Sequence, residues 1–299
     1  MDWRNWALNP YSWLAQVIGF RGCGGMKVKV LTGLAALTLF DIAAAHAQPA
    51  YNWTGYYVGA NFGFRGAGQS GNAPLAGQPD TTGSFPVDNT PFSFGPDSGI
   101  IGFQGGYNLQ VSPVWVLGLE GDFDWGHGRD STSFTFVDPS SGSTGSGQVS
   151  TAIDWSASIR GKVGYTTGPT LLYATGGASF LRATMSGSSS FSGTICTFFD
   201  CLDGFATTSS SSFSESKTLP GFVVGTGLEY MLTQRWLLRV EYLFADYGHP
   251  SFGPVGMNGS SACFVVFTPC GTTTSTQSGS VSTNLTTQTV RAAISFKFP

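Results

Sequence analysis

The segment GTGLEYMLTQRWLLRVEYLFADYG, Gly225–Gly248, restricts most strongly what this chain can fold into. Its residues alternate between two sets on either side of Thr233–Arg235, which predicts two strands joined by a tight turn. One set is apolar with aromatic residues at its ends, whereas the other carries charges among glycines. Because successive side chains of a strand point to opposite faces, this hairpin presents one face to an apolar medium and the other to a polar one.

Six further segments show the same alternation, so the chain contains eight predicted strands. Each is about 11 residues or longer, and a tilted strand needs only ~9–11 to cross a hydrocarbon core. A charge that faces lipid near the bilayer centre costs ~2–4 kcal/mol, and the apolar sets avoid charges almost completely. We therefore predict that the apolar sets face outward. The predicted strands are 54–64, 99–109, 114–126, 150–165, 170–182, the two hairpin strands from Pro220 onward, and 287–298.

The connections between these segments alternate in length. Short turns occur at Gln110–Pro113, Thr166–Pro169 and Thr233–Arg235. Long segments rich in Gly, Ser, Thr and Pro separate the other strands, at roughly 65–96, 127–149, 183–219 and 249–284. This asymmetry is typical of barrels whose short turns face the periplasm. The pattern predicts an all-β fold: an eight-stranded antiparallel up-and-down transmembrane β-barrel with four long extracellular loops.

Composition supports a membrane barrel over a soluble sheet. Charged residues make up 10% of the 299 residues, against ~25% in an average soluble domain. The formal net charge of −3 argues against a nucleic-acid partner, which would require a basic face.

The N-terminal region is predicted to be processed sequence. Lys27 and Lys29 precede an apolar run at Val30–Phe40, and Ala45–Ala47 forms an A-x-A cleavage site before Gln48. Cleavage is thus expected between Ala47 and Gln48. The expected organisation is 1–25 as an upstream extension from a start codon assigned too early, 26–47 as a signal peptide, and 48–299 as the barrel.

Four cysteines follow the predicted cleavage site, at Cys196, Cys201, Cys263 and Cys270. An even number in an exported chain indicates disulfides. Pairing within each loop and pairing between the two loops both remain open. The spacings are not CxxC, and no histidine is near, so a metal site is not expected.

The inward-facing sets contain a near-balanced group of charges. The interior of an eight-stranded barrel is just wide enough for side chains to fill, which favours a salt-bridged structural plug over a charge-selective channel. The predicted lumen network is Glu120, Asp122, Asp124, Asp154, Arg160, Lys162, Glu229, Arg239, Glu241, Arg291 and Lys297. The predicted aromatic girdle at the membrane interfaces is Tyr107, Trp115, Trp125, Trp155, Tyr165, Tyr230, Trp236 and Tyr242.

One group of residues at the loop-side rim could carry chemistry. Acids and a histidine at Asp122, Asp124, His127 and Asp130 could serve general-base catalysis. A hydrated rim is the favoured interpretation, because no second half-site is visible. No GxSxG, HExxH or P-loop signature occurs. We therefore expect no enzyme activity and no cofactor.

Several stretches resemble a known family: the hairpin segment, SASIRGKVGYTTGPTLLYATGGASF, TGYYVGANFGF and TVRAAISFKF. They are similar to the small outer-membrane β-barrel proteins called outer membrane immunogenic proteins or opacity-type porin-like proteins. The resemblance implies the outer membrane of a Gram-negative bacterium, with lipid and lipopolysaccharide around the barrel. It also implies recognition of the last strand by the barrel-assembly machinery. The family usually ends on an aromatic residue, whereas here Pro299 follows Phe298.

We expect an integral outer-membrane protein that supports envelope integrity and presents surface-exposed, antigenic loops, which are also candidates for binding an extracellular ligand. A narrow porin for small solutes is the alternative hypothesis. A hydrolase at the rim is the third.

Overall fold

A computed structural model describes residues 51–76, 87–137, 144–196, 204–265 and 268–298. Ten β-strands occur within these ranges. In this part of the chain no helix is long and apolar enough to cross a membrane. The strands are β1 (Gly55–Ala76), β2 (Val87–Phe94), β3 (Asp97–Gln110), β4 (Trp115–Val137), β5 (Thr144–Thr167), β6 (Thr170–Cys196), β7 (Gly204–Met231), β8 (Trp236–Asp246), β9 (Ser251–Val265) and β10 (Thr268–Lys297).

Eight of the ten strands form a closed antiparallel ring. The ring runs β1-β3-β4-β5-β6-β7-β8-β10, and β10 pairs with β1 to close it. Closure removes the unpaired sheet edges that lipid would not tolerate. The remaining strands extend the wall on the loop side. There, β2 pairs with β1 beyond the start of β3, and β9 pairs with β7 and β10 beyond the end of β8. The predicted eight-stranded up-and-down barrel is confirmed.

The three short connections occur where they were predicted. Between β5 and β6, Gly168 has φ of 62°. This is the left-handed region, where glycine avoids the steric cost that other residues carry. In the opening hairpin, the amide of Leu232 donates to the carbonyl of Trp236 at 2.9 Å. Tight turns of this kind hold the periplasmic end of the barrel together.

The strands run well past the ends that the sequence predicts. The first predicted strand ends at Phe64, whereas β1 continues to Ala76. The β6–β7 ladder continues to the Cys196–Gly204 pair, and the β4–β5 ladder to Val137–Thr144. The prediction relied on apolar alternation, which ends where the lipid ends. Ser- and Thr-rich ribbons continue beyond that level because they satisfy their backbone groups by pairing, so much of the predicted loops is β-structure.

The outer face of the ring is apolar. On β4 the outward residues run from Trp115 to Trp125, with Leu117 and Leu119 exposed between them. Ten residue steps correspond to about 33 Å along the strand, or about 25 Å along the barrel axis at the usual tilt. That height matches the hydrocarbon region of an outer membrane.

The interior is filled at three levels. At the turn end, Trp53 and four other buried apolar residues close the barrel. At the middle lies a layer of buried charges, described below. Toward the loop end, fifteen buried apolar residues form a second apolar layer, including Leu181, Met185 and Phe252, each fully buried. The alternation did not predict this upper layer, because its residues lie in the predicted loops or close to the ends of the predicted strands.

Some predictions fall outside the described part of the chain. These are the upstream extension 1–25, the signal peptide 26–47 and the cleavage point at Ala47 and Gln48. The side chains of Cys196, Cys201, Cys263 and Cys270 also lie outside the described set. Processing and disulfide pairing therefore remain predictions.

Candidate functional site

Charged side chains from neighbouring and opposite walls meet in the middle of the barrel. Glu120, Asp122 and Asp124 alternate along β4 and point inward, with outward-facing residues between them. Cations enter from β5, β8 and β10. The local cause is the strand period of two, which sends every second residue of each strand into the lumen.

Arg160 of β5 lies at the centre of this ion-pair cluster. Its Nη2 atom is 2.5 Å from Glu120 Oε1 and 2.8 Å from Asp122 Oδ2, and its Nη1 atom is 2.9 Å from Glu241 Oε1. The Arg160 side chain has 0% exposure. One guanidinium therefore joins three carboxylates from two strands without contacting water, and uses the fork geometry that lysine lacks.

Arg291 of β10 makes a second set of bridges. Its Nη1 atom is 2.8 Å from Asp124 Oδ2, and its Nη2 atom is 3.2 Å from Asp122 Oδ2 and 2.8 Å from Glu241 Oε2. The Arg291–Asp124 pair joins β10 to β4, which lie three strands apart in the ring. Arg160 and Glu241 likewise join β5 to β8, also three strands apart. These contacts cross the lumen.

The turn-side half of the cluster is built around Glu229 of β7. Lys162 Nζ lies 2.7 Å from Glu229 Oε1, and Arg239 Nη2 lies 2.6 Å from the same oxygen. Arg239 Nη1 also lies 2.5 Å from Glu120 Oε2, so this arginine links the two halves. Burial of a carboxylate is tolerated here because two cations compensate for it.

Two tyrosines complete the ion-pair cluster, and the prediction did not include them. The Tyr57 hydroxyl donates to Glu120, and the Tyr173 hydroxyl donates to Glu241 Oε1 at 2.8 Å. Lys162 Nζ lies 5.1 Å and 4.9 Å from the centres of the two rings, within cation–π range. The alternation along the predicted strands places both tyrosines inward, but the predicted lumen network included charged residues alone.

Inward-facing glycines make room for these rings. A Cβ atom on Gly106 would lie 2.6 Å from the Tyr57 hydroxyl, and one on Gly227 would collide with the Tyr173 hydroxyl. The glycines that stand beside charges in the sequence thus have a packing role. They allow large side chains from a neighbouring strand to lie flat across the narrow lumen.

The cluster has close to balanced charge. Five carboxylates (Glu120, Asp122, Asp124, Glu229 and Glu241) face four cations (Arg160, Lys162, Arg239 and Arg291). Arg65 of β1, also buried, lies on the loop side of this layer and donates to Ser156 Oγ at 3.0 Å. Arg65 falls at the start of a predicted loop, because the predicted strand ends at Phe64 whereas β1 continues to Ala76. Every carboxylate of the cluster has a cationic partner.

Two predicted members of the network lie elsewhere. Asp154 pairs with His127, with 3.3 Å between Oδ1 and Nδ1, and both side chains are solvent-accessible. The cause is a bulge: pairing between β4 and β5 skips from Trp125–Trp155 to Gly128–Ile153. The alternation predicts that Ile153 faces outward with the other apolar residues of its strand. The bulge instead turns its side chain into the barrel, where it is fully buried.

Lys297 is the other exception. Its side chain is buried at the turn end, where Nζ donates to the backbone carbonyls of Asn52 and Thr54. It therefore ties the segment before β1 to the last strand instead of pairing with a carboxylate.

The residues considered for catalysis are not brought together. Asp122 and Asp124 are held by arginines inside the barrel, whereas His127 is exposed beside Asp154. Asp130 accepts from the amide of Gly95 at 3.1 Å. Within the described ranges, no three His, Cys, Asp or Glu side chains are arranged to hold a metal ion.

The predicted girdle residues lie on the outer face in two bands. On the turn side, Trp115 packs edge-on against Tyr165 with 5.7 Å between ring centres. On the loop side, Phe123 contacts Trp125 at 4.5 Å and Trp155 at 5.4 Å. Tyr107, Tyr230 and Trp236 belong to the turn-side band, and Tyr242 donates to Gln288 Oε1 at 3.2 Å between the two bands.

A closed ring with an apolar outer band, aromatic rims and a polar, filled lumen defines an integral outer-membrane β-barrel protein. The comparisons with known proteins agree. The family described as "Outer membrane protein beta-barrel domain" matches residues 32–298, and the chain belongs to this family.

Several relatives are named outer-membrane proteins. The chain is 28% identical over 247 residues to the 31 kDa outer-membrane immunogenic protein of Brucella melitensis, covering 75% of this chain and 88% of that protein. It is 29% identical over 207 residues to the 22 kDa outer membrane protein of Rhizobium leguminosarum bv. viciae, covering 68% of each. Among solved structures, Neisserial surface protein A is similar over 82% of this chain and 98% of its own, with 14% identity and a TM-score of 0.33. The protein is therefore located in the outer membrane.

Proposed function

We propose that this protein is a non-enzymatic structural component of the outer membrane, with a closed interior and surface-exposed β-ribbons. One observation carries the proposal: ion pairs cross the lumen between opposite walls, and their side chains are buried. The side chains of Arg160, Arg291, Glu229 and Glu241 each have 0% exposure. An ion or solute could pass this level only by breaking buried pairs.

The two apolar layers add to this barrier. Trp53 and its neighbours lie on the turn side of the charges, and the Leu181–Met185–Phe252 layer lies on the loop side. A charge that leaves the ion-pair cluster in either direction meets side chains that cannot solvate it. The two layers contain residues from seven of the eight ring strands, all except β3, which suits a role in envelope integrity.

Conductance in planar bilayers tests the closed interior. We expect no steady conductance from the purified, folded protein. A double variant, Asp124→Ala with Arg291→Ala, removes the bridges that Arg291 makes to Asp124, Asp122 and Glu241 without changing the net charge, and it should conduct more than the wild-type protein. Steady, large, ohmic conductance from the wild-type protein would instead support a narrow porin.

The surface role rests on the loop-side ribbons. The β6–β7 ladder extends from its Ala183–Lys217 pair to its Cys196–Gly204 pair, well beyond the apolar band. Relatives carry the name immunogenic protein, which fits exposure of these ribbons to the outside. Protease treatment of intact cells should cleave within the ribbons and leave the barrel intact. Full protection of the ribbons in intact cells would contradict this part of the proposal.

The non-enzymatic part has its own test. If the rim were a hydrolase, Asp122→Ala or His127→Ala would abolish turnover of a peptide or ester substrate. We expect no turnover from the wild-type protein that either variant removes. Turnover lost in both variants, with the barrel still folded, would revive the hydrolase hypothesis.

A further inference from the structure

Two exposed arginines lie on the lipid-facing side of the barrel, one level with the loop-side aromatic band and one just beyond it. Arg182 of β6 stands between Leu181 and Ala183, which are both fully buried in the upper apolar layer. Because successive strand residues face opposite sides, the Arg182 side chain points out of the barrel. It lies directly opposite Trp155 of the girdle.

Arg129 of β4 shares this outer face. It lies opposite Ala152 of β5, which lies opposite Thr184 of β6. Directly opposed residues of antiparallel strands have their side chains on the same face. Thr184 is two residues from Arg182, and its hydroxyl bonds to Ser216 on the exposed side at 2.7 Å. Arg129, Thr184 and Arg182 therefore form one surface, and both arginines are exposed.

The distance between the two arginines allows both side chains to reach one anionic group. Two strand spacings across the sheet and two residues along it place the two Cα atoms about 12 Å apart. Arginine has a long, flexible stem and a planar fork of donors that matches phosphate oxygens. Two arginine side chains that lean toward each other across this distance can contact the same phosphate or two phosphates of one headgroup.

Neither arginine is neutralised by a residue that the structure describes. Among those residues, the side chains of Arg129 and Arg182 have no hydrogen bond or ion pair. The nearest acidic side chains are engaged elsewhere. Asp154 pairs with His127 at 3.3 Å, and Asp130 accepts from the amides of Gly95 and Ser131. His127 is a further titratable group at the same bulge, and its side chain is exposed.

We propose that Arg129 and Arg182 bind the phosphate groups of lipopolysaccharide in the outer leaflet. The surface faces the surrounding lipid, and it lies level with and just beyond Trp125 and Trp155, which mark the membrane interface. That is the depth of the phosphorylated headgroup. Positive charge at this depth complements the phosphates, and the aromatic band packs against the acyl chains below.

Binding of lipid A to the full-length, detergent-folded protein tests the site, with native mass spectrometry as the readout. The ligands are lipid A with its phosphates and the same lipid A after dephosphorylation. The wild-type protein should bind the phosphorylated form more tightly. The Arg129→Ala, Arg182→Ala double variant should bind it at least about tenfold more weakly, as expected for the loss of charge-assisted hydrogen bonds.

Arg235→Ala is the matched control, because Arg235 is an exposed arginine on the periplasmic turn. It removes one positive charge from the other interface and should leave binding unchanged. Variants with lysine at 129 and 182 keep the charge and should retain part of the affinity. The wild-type comparison of the two lipid forms requires no variant, so a folding defect cannot obscure the result. Equal binding of both lipid forms, or equal weakening by Arg235→Ala, would overturn the proposal.

Discussion

Replacing Arg160 by methionine should strongly destabilise the barrel. The substitution keeps an unbranched, though shorter, side chain and removes the cation that touches Glu120, Asp122 and Glu241. Loss of one partner from a buried ion pair costs about 3–5 kcal/mol, whereas an exposed pair contributes at most about 1 kcal/mol. Arg291 still contacts Asp122 and Glu241, so we expect a loss near the lower end, about 3 kcal/mol.

Urea unfolding of the protein in detergent micelles measures this loss, with tryptophan fluorescence and heat-modifiable gel migration as independent probes. A slope of about 2 kcal/mol per molar urea converts the expected loss into a midpoint shift of about 1.5 M. Arg235→Met, at the exposed turn, is the control and should stay within about 0.5 kcal/mol of the wild type. Arg160→Met leaves five carboxylates with three cations in the cluster, and adding Asp122→Asn reduces this excess of negative charge and should recover part of the loss.

The result would refute our description of the lumen if Arg160→Met unfolded at the same urea concentration as the control. A hydrated lumen predicts that outcome, because water would then solvate the three carboxylates. A large loss without any recovery on adding Asp122→Asn would show that packing of the arginine stem, and not charge compensation, stabilises this level of the barrel.

Three further predictions concern other parts of the chain. Ile159→Arg places a charge on the lipid face and should destabilise the barrel by about 2–4 kcal/mol in lipid vesicles, whereas Ile159→Leu should not. Gly227→Val introduces atoms where the Tyr173 hydroxyl lies, so we expect lower urea resistance, partly restored by adding Tyr173→Phe. Beyond the apolar band, the amide of Gly253 donates to Glu215 and lowers the pKa of its carboxyl below the usual range for glutamate. A lowered folded-state pKa stabilises the fold above the unfolded value and ceases to do so as pH falls through the folded value. Glu215→Gln should therefore loosen this ribbon contact at neutral pH, and the difference from the wild type should disappear as the pH falls through the folded-state pKa, as measured by limited proteolysis.

Each of these three can fail in a defined way. Equal stability of the arginine and leucine variants at position 159 would mean that this face is not in lipid. An unaltered Gly227→Val protein would show that the Tyr173 ring has another position available. If Glu215→Gln still differed from the wild type in proteolysis at low pH, the contact would depend on the shape of the side chain and not on its charge.

The sequence determined the transmembrane part of the fold. Inside lipid, each backbone group must be paired and each lipid-facing side chain must be apolar, so the period-two pattern admits little besides a closed barrel. For the same reason, position in the alternation was enough to assign several charged residues to the lumen. These are Glu120, Asp122, Arg160, Arg239 and Arg291. The membrane therefore constrains which residues each strand can carry, and this constraint is visible in the local sequence.

Tertiary structure alone decided three other features. The bulge between β4 and β5 moved Asp154 to the surface and Ile153 into the core, because one unpaired residue reverses the parity of everything after it. The upper apolar layer depends on which ribbon residues meet across the lumen, which alternation within one strand does not specify. Finally, which cation meets which carboxylate, such as Arg291 with Asp124, depends on the register and closure of the ring, so it follows from long-range pairing that no single segment encodes.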